Sequence, residues 1–148
     1  MKQIVRKAAL VLIAIMAAGT LSAQVSHVTI CNPSAPNGVE YLEVYEFEYV
    51  DVQPQFPGGE SGLINYINKT REYPYDAYHN GIQGRVLCSF IVGKDGKVSN
   101  VKIIRGAGDA TLNREAMRVI KQMPRWKAGK VDGESVAVRV VLPIAFRL

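Results

Sequence analysis

Ser135-Val-Ala-Val-Arg-Val-Val-Leu-Pro-Ile-Ala-Phe-Arg-Leu148 alternates in a way that only a strand explains. Val136, Val138, Val140, Leu142, Ile144 and Phe146 recur at every second position, the period that lines one face of a strand. Arg139 and Arg147 fall on the opposite face. Pro143 lacks the N–H that a central strand donates, so this strand is expected at a sheet edge or with a bulge. One face closes a core, and one backbone edge is expected to lack a partner. Such an edge is either blunted by charge and proline or used to accept another strand.

Upstream, Gln83 to Val92 is the second clear strand, with Val86, Cys88, Phe90 and Val92 in phase. Asp95-Gly96 signals a hairpin turn, and Val98 to Arg105 is the returning strand. A helix follows, with Leu112, Ala116, Val119, Ile120 and Met123 as its apolar stripe. Its N-cap is Asp109 or Asn113, both suited to the role, and Pro124 ends it. Trp126 is expected to plug the edge of the core. Strand, strand, helix and strand make a small α+β domain with a helix across one sheet face.

The preceding segment is less regular. Glu60 to Lys69 is expected to form a short amphipathic helix with Leu63, Ile64 and Ile67 inward. Tyr73-Pro74 redirects the chain, and Tyr75 to Asn80 is one helical turn capped by Gly81. Tyr45, Phe47 and Tyr49 alternate with Glu46 and Glu48, which predicts a half-buried strand running on to Val52. Gln53 to Gly59, with two prolines and two glycines, interrupts regular structure.

The first residues have the form of an export signal. Lys2, Arg6 and Lys7 precede an apolar run from Ala8 to Ala18, and Leu21-Ser22-Ala23 supplies small residues before Gln24. That run is shorter than the roughly 20 residues needed to span a bilayer. The expected organisation is a signal peptide over 1–23, a loose lead-in over 24–42 and one domain over 43–148. Residues 24–60 hold six acids and no Lys or Arg, whereas 61–148 hold 15 basic residues against seven acids. An acidic arm lying on its own basic domain accounts for this split. In an exported protein, the basic balance argues against nucleic acid as the partner.

Catalytic constellations are missing from the pattern. His27 and His79 lack spaced ligand or acid partners. Ser61 and Ser89 lie in no nucleophile elbow, and the glycine clusters lack the lysine of a phosphate loop. No metal spacing or cofactor motif is present. Cys88 lies on a buried face, so a core thiol is expected there rather than a bridge to Cys31. A binding protein is expected, not an enzyme.

Tyr73-Pro74, Gly81-Ile82-Gln83-Gly84-Arg85-Val86, Asp95-Gly96-Lys97-Val98, Leu112 through Ala116, Trp126, Gly129-Lys130, Gly133 and Pro143 to Leu148 together resemble the carboxyl-terminal domain of TonB energy transducers. Pro54-Gln55-Phe56-Pro57-Gly58-Gly59-Glu60 looks like the version common in Bacteroidetes. The resemblance covers about Val50 to Leu148. It implies a two-layer α+β sandwich with a strand-strand-helix-strand core, an N-terminal strand and short helices. It also implies a periplasmic module for transmembrane transport that grips the TonB box, an extended segment of TonB-dependent outer-membrane receptors, by strand addition. The site so implied comprises Tyr73, Pro74, Asp76 and Tyr78, with Ser135, Val136, Ala137, Val138, Arg139, Val140 and Val141 on the last strand. Arg85, Arg139 and Arg147 would attract an acidic receptor segment.

A full transducer of that family keeps an amino-terminal anchor and a long proline-rich spacer. Here the lead-in is short, and even fully extended at roughly 3.3–3.6 Å per residue it would not bridge a periplasm. Three readings follow. The first is a free, exported receptor-binding module. The second is an anchored short transducer that meets inner-membrane motor proteins and retains Met1. The third is a structural cell-envelope domain that forms a homodimer by pairing edge strands.

Overall fold

The computed structural model describes residues 27–32 and 40–148. The segment expected to be a signal peptide, 1–23, lies outside the described residues. Among the described residues six strands form one sheet: β1 (His27–Asn32), β2 (Glu40–Glu46), β3 (Gly84–Val92), β4 (Val98–Arg105), β5 (Gly129–Val131) and β6 (Glu134–Phe146). The order across the sheet is β1-β2-β6-β3-β4, and β5 pairs with the start of β6. All pairings are antiparallel except β2 with β6, which is parallel. Among the described residues three α-helices accompany the sheet: α1 (Gly59–Thr70), α2 (Tyr75–His79) and α3 (Ala110–Lys121).

β6 follows the alternation in its sequence. Val138, Val140, Ile144 and Phe146 are buried, and Val141, Pro143 and Arg147 are exposed. It is nevertheless not an edge strand along its whole length. β3 covers one side from Val138 to Phe146, and β2 covers the other at Ala137 to Arg139. From Val140 onward only β3 pairs with it among the described residues. Pro143 falls in this singly paired part, where a strand tolerates a missing N–H.

The main core lies between the sheet and α3, where Val86, Cys88 and Phe90 of β3 meet Leu112, Ala116, Val119 and Ile120. Asp109 rather than Asn113 caps α3, accepting from the amides of Thr111 at 2.8 Å and Leu112 at 3.1 Å. Asn113 instead accepts from the Ala107 amide at 3.0 Å and so ties down the incoming loop. α1 packs on α3: the Tyr66 hydroxyl donates to the Val119 carbonyl at 2.9 Å, and Arg118 donates to the Thr70 carbonyl at 2.8 Å. That contact turns Tyr66 inward beside Leu63 and Ile67 and leaves Ile64 half exposed, against the sequence expectation. Gly96 in the β3–β4 turn has φ 82°, and its carbonyl accepts from the Trp126 amide at 2.8 Å. A Cβ there would stand 1.9 Å from the Trp126 carbonyl oxygen, so only glycine allows this approach.

Two further expectations are corrected. The strand expected over Tyr45 to Val52 stops at Glu46, and Phe47–Tyr49 is a single 3-10 turn. Phe47 leaves the strand to pack on the main core, whereas Val44 faces a separate cluster with Ile91 and Ala137. The stretch read as a loose lead-in, 24–42, contains β1 and the beginning of β2. The turn-forming pairs there gave no periodicity, yet β1 and β2, consecutive strands, pair antiparallel from His27 opposite Tyr45 to Asn32 opposite Glu40.

Candidate partner-binding edge

After the 3-10 turn the chain crosses the end of the sheet as an irregular ribbon. Val52 and Lys130 exchange both backbone hydrogen bonds, at 3.0 and 2.8 Å, and Gln55 and Lys127 do so at 3.0 and 2.8 Å. Phe56 then drops into the core and meets Tyr66 and Trp126 with ring centroids 5.3 and 5.5 Å away. Between this ribbon and the singly paired part of β6 lies a groove of about 720 Å³. Phe47, Phe56, Leu63, Trp126, Val140 and Leu142 supply its apolar lining, with Asp51 and Glu60 among its polar residues. An apolar trough beside a row of strand backbone without a second partner suits an extended peptide, whose main chain pairs while side chains enter the trough.

The residues expected to form the site do not converge. Ser135 and Val136 pair with β5, and Ala137, Val138 and Arg139 pair with β2. Only Val140 and Val141 of the expected stretch border the groove, which continues to Leu142. Tyr73, Pro74, Asp76 and Tyr78 lie at the other end of β6. Tyr73 stacks edge-on against Phe146 at 5.7 Å and against Tyr78 at 5.9 Å, and its hydroxyl donates to the Ile82 carbonyl. At roughly 3.3 Å per residue along a strand, Phe146 is some 36 Å from Ser135. The Tyr73 cluster and the start of β6 therefore cannot grip the same few residues.

Around α2 the surface is aromatic. Tyr75 is 72% exposed and Tyr78 58%, and His79 stacks on Tyr75 at 3.9 Å. Pro74 starts the helix, and the Ile82 amide donates to the Ala77 carbonyl at 2.8 Å, closing the turn. Arg71 donates to the Ala145 carbonyl and lies over the Phe146 ring, 5.7 Å from its centroid. Of the arginines expected to attract an acidic partner, Arg139 is engaged by Glu46 at 3.0 Å.

Cys88 and Glu115 serve the structure. Burial pushes the Cys88 thiol up to about 11, which makes it an unreactive core residue. Burial also acts to raise Glu115, but the Arg118 guanidinium and the Glu72 amide outweigh it and hold the carboxyl low. Among the described residues no group of three or more His, Cys, Asp or Glu side chains is placed to hold a metal ion. None of their helices is long and apolar enough to cross a membrane.

The pattern of the Gram-negative bacterial TonB protein C-terminal family matches residues 69–148, more than half of the chain. The chain belongs to the TonB C-terminal family. TonB of Xanthomonas campestris pv. campestris is 34% identical over 79 residues, covering 52% of this chain and 34% of that protein. TonB of Helicobacter pylori strain J99 is 32% identical over 82 residues, covering 55% of this chain and 28% of that one. The chain thus spans about a third or less of the length of these relatives. The solution structure of a TonB C-terminal domain from Helicobacter pylori is 27% identical, covers 58% of this chain and 77% of that one, and superposes with a TM-score of 0.46. The matched segment of this TonB-family chain begins in α1 and takes in α2, β3, β4, α3, β5 and β6. The ribbon, β1 and β2 lie before it.

Sequence reasoning missed the ribbon and Phe56 as parts of the site. Neither the interruption at Gln53 to Gly59 nor the family-like motif Pro54 to Glu60 discloses that Val52 pairs with Lys130 and Gln55 with Lys127, because those pairings are long-range. The isolated aromatic between two prolines was the available signal, since a large apolar side chain in a turn needs somewhere to go.

Proposed function

We propose that this domain works in TonB-dependent transport by binding extended segments of outer-membrane receptors on the periplasmic side. The segment adds as a strand to β6. The observation that carries this reading is the part of β6 from Val140 to Phe146, paired on one side only among the described residues and flanked by an apolar groove. Backbone pairing supplies affinity with few demands on sequence, and the pockets beside the strand read alternate side chains. Family membership supports the transport context and a place in the cell envelope. The exposed aromatics of α2 lie toward the far end of the same strand, where a long segment would meet Tyr73 and Tyr78 after leaving the groove.

The test is an NMR titration of the chain with synthetic ten-residue peptides taken from the periplasmic ends of receptor plugs. Saturable shifts are expected at the amides of Val140, Val141, Leu142 and Ile144. Shifts confined to β4 or α3, or none with any peptide, would remove the proposal.

A further inference from the structure

β2 already shows what the edge of β6 accepts. It runs parallel to β6, with Val44 opposite Ala137, Tyr45 opposite Val138 and Glu46 opposite Arg139. Val44 is fully buried in a small cluster with Ala137 and Ile91, apart from the main core. Two residues later, on the same face of the strand, the Glu46 carboxylate accepts from Arg139 at 3.0 Å. Directly after Glu46 the chain turns off through Phe47–Tyr49, and from Val140 the edge has no second strand among the described residues. One continuous edge is therefore half filled by the chain's own strand and half open to the groove.

The hold of β2 on this edge is limited. Its pairing with β6 spans three residues, its one fully buried apolar anchor is Val44 in a satellite cluster that Leu42 and Ile30 only partly cover, and each partner of its ion pair is a third exposed to solvent. Exposed ion pairs contribute little and are screened by salt. What favours β2 is its tether, which gives it a high effective concentration at the edge.

We infer that β2 is a built-in, displaceable occupant of the partner-binding edge, and that the partner segment replaces it by reproducing its pattern. That pattern is a parallel strand with an apolar side chain seated on Ala137 and Ile91 and a carboxylate two residues later on Arg139. The inference rests on the strand-addition reading and adds to it the side-chain pattern and the competitor. It also gives the acidic segment 24–60 a use, since the carboxylate that β2 offers Arg139 is the one a partner must match.

The test compares the wild-type chain with the double variant Val44→Asp/Glu46→Lys, which places a charge in the satellite cluster and repels Arg139. Neither residue belongs to the main core, and Trp126 fluorescence reports whether that core is intact. Glu46→Lys alone, which keeps Val44 in place, serves if the double variant does not fold. The first probe is the free peptide Glu-Tyr-Leu-Glu-Val-Tyr-Glu, copied from residues 40–46. It is expected to bind the variant at least roughly tenfold more tightly than the wild type, whose tethered copy competes. Its amide shifts are expected at Ala137 to Arg139. Replacing the last Glu of the peptide by Lys should weaken binding, and the variant Val44→Asp/Arg139→Glu, in which the chain's own Glu46 is repelled, should restore it.

Equal binding to variant and wild type, or indifference to the Glu-to-Lys change, overturns the inference. The receptor-plug peptides form the second probe. If they bind at Val140 to Ile144 equally well in both proteins, the strand-addition reading stands and displacement of β2 is wrong. If the β2 peptide binds the variant as expected while no receptor-plug peptide binds either form, the edge accepts strands as inferred and the receptor assignment fails. Binding of neither probe to either protein overturns both.

Discussion

Asp109 concentrates several duties in one carboxylate. It caps α3 through the amides of Thr111 and Leu112, and the Thr111 hydroxyl donates to the same oxygen. Those bonds are stronger to the charged acceptor than to the neutral acid, so they hold the carboxyl below its ordinary value, the Thr111 hydroxyl foremost and the Leu112 amide next. Because the folded value is the lower one, the contribution is fully present above the ordinary aspartate pKa of about 3.9 and is lost as pH falls through the folded value. Asp109→Asn keeps a capping acceptor but removes the titration. Thermal melts from pH 7 to pH 2 should therefore show a steeper acid loss in the wild type than in Asp109→Asn, with the two curves converging at the acid end. Parallel curves across the whole range would show that the cap carries no pH dependence.

Elements differed in how much of themselves the sequence displayed. β3, β4, α3 and β6 were legible because each has its own period, and the Asp95-Gly96 turn fixes which strands pair. The cap of α3 stayed ambiguous because Asp109 and Asn113 both bond to nearby backbone, one at the helix start and one at the preceding loop. The inward face of α1 was misjudged at Ile64 because α3, not the helix's own stripe, decides which side turns in. The parallel run of β2 beside β6 has no local signature at all, since 93 residues separate Glu46 from Arg139. The ribbon from Asp51 to Phe56 was unreadable for the same reason, and its anchor is one aromatic. Phe56 is 6% exposed and holds the ribbon against Tyr66 and Trp126. Phe56→Ala should cost about 3–5 kcal/mol, the range for emptying a buried aromatic site, measured by urea unfolding. It should also weaken receptor-peptide binding, because the groove wall goes with it. A loss below about 1 kcal/mol would mean that the ribbon is held by its backbone bonds to Lys127 and Lys130 instead.

At the scale of the molecule, the sheet is continuous but its hydrophobic support is not. β3, β6 and α3 share one large core, to which Phe56, Trp126 and Met123 also belong. β1 and β2 are joined to that body by the three-residue parallel pairing and by Val44, Ile91 and Ala137, with Ile30 and Leu42 partly covering them. Cooperative units follow buried contacts rather than sheet membership, and regions with few such contacts open before the whole unfolds. Native-state hydrogen exchange should therefore separate the two parts. Amides of β3, and those of β6 from Val140 to Ile144 that donate to β3, should exchange only through global unfolding, with a steep dependence on denaturant. Amides of β1 and of Val44 to Glu46 should exchange through a smaller opening, easier by at least about 1.4 kcal/mol, which is a tenfold difference in rate. The amides of Ala137 to Arg139 discriminate further: those turned toward β2 should follow β2, and those turned toward β3 should follow the core. If Val44 to Glu46 instead shared the free energy and denaturant dependence of β3, the two parts would open as one. A receptor segment could then reach the β2-covered part of β6 only by unfolding the domain, and binding would be confined to the groove from Val140 onward.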